Sequence, residues 1–108
     1  MPFNVTFSLD TPATNYNVRI ETVLVVADEL WVLSQVGTDA DLGGCMISRR
    51  SATVSVIDDA LAGLPQRHFV GGCRWNWHKG DECERVDLAQ VVQKAAQAGA
   101  TTVAIERE

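Results

Sequence analysis

Both histidines and two of the three cysteines of the chain recur at five-residue steps: His68, Cys73, His78 and Cys83, within HFVGGCRWNWHKGDEC. Imidazole and thiolate are zinc ligands. The spacing works against such a site. In an extended strand a step of five reverses the face, so successive members of the set diverge. In a helix five residues turn through about 500°, roughly 140° out of register. Two sharp turns, at Gly71-Gly72 and at Lys79-Gly80-Asp81, would be needed to gather all four groups, and the close Cys-x-x-Cys pair of zinc motifs is missing. A zinc-binding domain through 68–83 therefore ranks third among the readings of this chain, and no cofactor is expected.

Nucleophilic catalysis by cysteine fares no better. Asp81, Glu82 and Glu84 surround Cys83 with negative charge, which disfavours the reactive thiolate. Arg74 neighbours Cys73 but belongs to the opposite strand face. Cys45 follows Gly43-Gly44 with no local base. A free cysteine otherwise behaves as a small buried hydrophobe. TDADLGG, 38 to 44, resembles the opening of a calcium loop. An EF-hand requires an oxygen ligand at its fifth place and Glu at its twelfth; counted from Asp39, those places hold Gly43 and Arg50. Gly71-Gly72 lacks the Lys-Ser/Thr of a phosphate loop. Asp58-Asp59, adjacent at a strand end, suits a turn or cap rather than acid–base work. A small enzyme, or a ligand-binding protein with a pocket between sheet and helix using His68 or His78 with a carboxylate, is the second reading.

What remains in CRWNWHKGDE is a recognition surface. In an extended backbone Trp75 and Trp77 share one face, while Arg74, Asn76 and His78 share the other. Tryptophan fills cores or anchors contacts. The expected binding residues are Arg74, Trp75, Trp77, His78, Asp81 and Glu82, joined by the acidic loop 37 to 44. Such a rim fits a protein partner or a small polar ligand. The first reading is thus a small soluble binding or interaction domain.

The rest of the composition narrows the partners. The chain has 108 residues, 46% hydrophobic and 21% charged, with a formal charge of −5. That length fits a single domain over 1–108 with one core. Between Asp10 and Asp41, Asp10, Glu21, Asp28, Glu29, Asp39 and Asp41 face a lone base, Arg19. Nucleic-acid binding requires clustered Lys and Arg to displace counterions. Here the basic pair is Arg49-Arg50, so neither nucleic acid nor an anionic membrane is expected. No basic-then-apolar leader opens the sequence and no apolar run approaches transmembrane length. An odd cysteine count fits reduced thiols and a cytoplasmic location, although a secreted chain whose leader had been replaced by Met would read the same.

These residues must be positioned by strands. Phe3, Val5, Phe7 and Leu9 alternate with Asn4, Thr6, Ser8 and Asp10, the period of a half-buried strand. TPATNYN is a loop. Residues 18 to 36 predict a hairpin turning at Ala27-Asp28-Glu29, with Val18, Ile20, Thr22, Leu24 and Val26 on one face and Val23 and Val25 on the other. A further strand is expected over 47–57, with Ala52, Val54 and Val56 inward. DDALAGLP turns the chain, and the next strand runs from Gln66 toward the tryptophans, bent at Gly71-Gly72. The one helix spans about 88–98. Asp87 caps it, Gln90 completes a capping-box pattern, Val86 and Val91 form a staple, and Gly99 ends it. Its expected apolar stripe is Leu88, Val91, Val92, Ala95 and Ala96. A final strand covers about 101–107. The fold class is α+β: about six strands in a mostly antiparallel curved sheet or partial sandwich, with the C-terminal helix packed on it. The strand–helix–strand ending admits one parallel crossover. Exposed edge strands in so small a sheet offer a route to a homodimer.

Overall fold

The computed structural model describes residues 1–11, 16–38, 48–72 and 83–107, and for Thr38 and Cys83–Arg85 the backbone alone. It confirms an α+β fold of two sheets and one helix. The strands are β1 (Phe3–Thr11), β2 (Tyr16–Val26), β3 (Glu29–Thr38), β4 (Ser48–Val56), β5 (Gln66–Gly71), β6 (Cys83–Arg85), β7 (Thr101–Thr102) and β8 (Ile105–Arg107). The helix, α1, covers Leu88–Gln97. A three-stranded sheet has the order β1-β4-β8, and a five-stranded sheet the order β6-β5-β3-β2-β7.

The alternation of β1 produces the inner face of the small sheet: Val5, Phe7 and Leu9 are buried, and Val54 and Val56 of β4 join them. Across the gap the large sheet presents Ile20, Val23, Leu30, Val32, Val36 and Val70. The opposite face of the large sheet carries Leu24, Val26, Leu33 and Phe69, and these pack on Val91 and Ala95 of α1. The domain is therefore three layers, sheet on sheet on helix, with two apolar seams. A strand buried on both faces, such as β3, carries a continuous apolar run, LWVL at 30–33, for this reason.

In the hairpin β2–β3 the pairing runs Ile20 with Ser34, then Thr22 with Leu33, so Glu21 is an extra residue. This β-bulge shifts the strand by one residue and so exchanges its faces. Val18, Ile20, Val23 and Val25 share the inter-sheet seam, whereas Leu24 and Val26 face α1. The sequence-based assignment of one face from Val18 through Val26 is corrected accordingly. The turn is Ala27-Asp28, with Ala27 at φ 53°.

Two ladders are parallel, β3 with β5 and β5 with β6; the other pairings are antiparallel. Since β7 is antiparallel to β2, and β2 to β3, β7 runs in the same direction as β6. The expected parallel crossover through α1 is present, joining opposite edges of the sheet. The Asp87 carboxylate accepts from the Ala89 N–H at 3.0 Å, capping α1. At its other end Gly99 (φ 79°) donates to the Ala96 carbonyl and Ala100 to that of Ala95, a Schellman motif. The buried stripe is narrower than expected: Leu88, Val91 and Ala95 face the sheet, while Val92 and Ala96 are exposed. DDALAGLP forms a 3₁₀ turn at Asp59–Leu61, capped by Asp58 through the Ala60 N–H.

The expected final strand is split between the sheets. Thr101 and Thr102 pair with Val25 and Leu24 of β2, and Val103 donates to the Val23 carbonyl. Then Ile105, Glu106 and Arg107 pair with Val56, Ser55 and Val54 of β4. One segment thus stitches the two sheets together.

Candidate functional site

The six residues expected to form a contact surface, Arg74, Trp75, Trp77, His78, Asp81 and Glu82, lie outside the described residues, as do Cys45, Cys73 and most of the acidic loop 37–44. Their flanks are described. β5 ends at Gly71, and Gly72 follows with φ 79°, a backbone that favours glycine. Residues 73–82 therefore join the end of β5 to the start of its parallel neighbour β6.

His68 is half-buried at the inter-sheet seam and stacks on Phe7, ring centroids 5.7 Å apart. The β5–β6 register places it opposite Cys83. Spacing alone assigned these two residues to diverging faces. Parallel pairing brings their backbones side by side, because faces in separate strands follow register rather than sequence distance. Among the described residues no three His, Cys, Asp or Glu side chains are gathered to hold a metal. The seam between sheet and helix, where a ligand pocket was the second expectation, is filled by Leu24, Leu33, Phe69, Val91 and Ala95. Beside it Arg67 lies 5.2 Å from the Trp31 ring and 5.0 Å from the Phe69 ring, covering that end with a cation–π contact.

The open feature of the described chain lies elsewhere. A cleft of about 650 Å³ runs between β2 and β4, lined by Asn17, Val18, Arg19, Ile20, Ser51, Ala52, Thr53, Val54 and Arg107. Its origin is topological. β2 is paired with β3 along its length except at the Glu21 bulge, and among the described residues its other edge is paired at Leu24 and Val25, with the Val23 carbonyl accepting from the Val103 N–H. β4 is likewise paired throughout with β1, and among the described residues its other edge is paired from Val54 to Val56, with Ile57 donating to the Ala104 carbonyl. The C-terminal segment runs between these two edges, antiparallel to both, and ends its pairing at Arg107. Beyond Arg107 the edge of β2 at Val18–Ile20 and the edge of β4 at 51–53 face each other across the cleft. No backbone hydrogen bond joins them among the described residues.

The alternation of both strands fixes the chemistry of this slot. Val18, Ile20, Ala52 and Val54 belong to the inter-sheet core and make an apolar floor. Asn17, Arg19 and Ser51 are exposed and form a polar rim. Arg107 closes one end, its guanidinium donating to the Ile20 carbonyl and, at 3.0 Å, to the Glu21 carbonyl. The bulge explains that contact: an extra residue leaves the ladder locally broken, and Arg107 takes up carbonyls at the break. Among the described residues the lining includes two arginines and no carboxylate. Arg19 makes only a long, exposed contact to Glu21, 3.5 Å, a kind that contributes little.

None of the cleft residues was expected from sequence. The alternation that builds the floor was legible in Val18, Ile20, Ala52 and Val54. Which edges stay unpaired depends on strand order, for which the residues carry no local signal. No helix of the described residues is long and apolar enough to cross a membrane. No protein-family model matches the chain, no curated protein matches it, and no solved structure does.

Proposed function

We propose that this protein is a small soluble interaction domain, cytoplasmic by its three cysteines, that binds a short segment of a partner polypeptide in the cleft between β2 and β4. One observation carries the reading. The cleft of about 650 Å³ between β2 and β4 has an apolar floor of Val18, Ile20, Ala52 and Val54 and a polar rim of Asn17, Arg19 and Ser51. Apolar side chains laid on that floor supply affinity, and the few polar groups of the rim supply selectivity. Four residues line the slot on each side, Asn17 to Ile20 and Ser51 to Val54, which accommodates an extended segment of about 13 Å. The reading assigns the cleft no cofactor and no reaction. The free edge of β1, which pairs only with β4 among the described residues, supports a further role in self-association.

The test is a titration of the isotope-labelled full chain with the neutral peptide acetyl-Val-Thr-Val-Thr-Val-amide, followed by amide NMR shifts. The expected result is saturable shifts centred on the amides of Val18, Arg19, Ile20, Ser51, Ala52 and Thr53. The peptide acetyl-Lys-Thr-Lys-Thr-Lys-amide, which cannot lay apolar side chains on the floor, should bind about tenfold more weakly. Shifts centred elsewhere, or equal binding by the lysine peptide, refute binding on the apolar floor of this cleft.

A further inference from the structure

We draw no further inference here: the strongest candidate, the cross-strand pair at the inter-sheet seam in which His68 of β5, stacked on Phe7, stands in register with Cys83 of β6, rests on a lone cysteine with no third ligating side chain gathered among the described residues to show what the pair would hold.

Discussion

A methyl group added at Gly71 tests how tightly the helix is seated. Gly71 is buried at the end of β5, on the face toward α1. A Cβ built there lies 2.8 Å from Leu88 Cγ and 3.2 Å from Leu88 Cδ1, with Gln35 Oε1 at 2.9 Å. Gln35 can swing its terminal amide away. Leu88 cannot so readily, because its Cγ is a branch point close to the backbone of the first helical residue. Gly71→Ala therefore displaces Leu88, and with it the start of α1, by roughly 1 Å, an overpacking that costs ~1–3 kcal/mol. Alanine in a strand recovers ~0.5–1 kcal/mol of the entropy that glycine loses on folding. The net loss is ~1–2 kcal/mol, or ~5–12 °C in Tm for a domain of this size. Leu88→Ala alone removes a half-buried side chain and loses ~1–2 kcal/mol. Combined, the new methyl occupies space that Leu88 vacates, so the double variant should be more stable than the sum of the two losses by at least ~1 kcal/mol. Urea unfolding of the four proteins measures this. Strictly additive losses would falsify the packing of Gly71 against Leu88.

Two further substitutions probe the hairpin and the inter-sheet seam. Ala27 sits at φ 53°, where an L-residue other than glycine is strained by ~1–2 kcal/mol. Ala27→Gly relieves that strain against an unfolded-state cost of ~0.5–1 kcal/mol; a gain of ~0.5 kcal/mol is expected by thermal unfolding, and a lower Tm refutes the turn geometry. The Ser34 hydroxyl is 0% exposed and has no hydrogen-bond partner among the described residues. A buried unsatisfied hydroxyl costs ~1–3 kcal/mol, so Ser34→Ala should stabilise the protein by ~1 kcal/mol in urea, and a loss of stability would show that the hydroxyl is satisfied.

The parts of the fold that were legible are those whose signal is local. The period-two alternation of Phe3 to Asp10 needed no partner to be interpreted, since a strand with one buried face must alternate. The helix announced both ends, through Asp87 and Gly99, because caps satisfy backbone groups within a few residues of themselves. The faces of β2 were not legible. A bulge is an event between two strands, and nothing in RIETV marks Glu21 as the residue that the partner skips. β6 is three residues long and too short to show a period. The division of TTVAIER between two sheets was hidden for the same reason as the cleft: both depend on which edges meet. The chemistry-bearing residues at 68–83 drew the sequence reading because their types are rare, whereas the cleft is built from Val, Ala, Ser, Thr and Arg, which carry chemistry only through placement.

The bulge links these observations. Val23 and Val25 point to the inter-sheet seam. Without the extra residue at Glu21, strict alternation would turn Glu21, Arg19 and Asn17 inward and Val18 and Ile20 outward. The small sheet would then cover two charges and an amide, at a cost far above what its apolar contacts return. With the bulge, Ile20 and Val18 return to the core face and Arg19 reaches the rim. The same irregularity leaves carbonyls at Ile20 and Glu21 that Arg107 binds. That contact is made at the point where the C-terminal segment ends its pairing with β4. One residue of mismatch in the hairpin thus sets the apolar floor, delivers Arg19 to the rim and anchors Arg107 at the closed end. The cleft is in this sense a consequence of how β2 reconciles its two faces with β3.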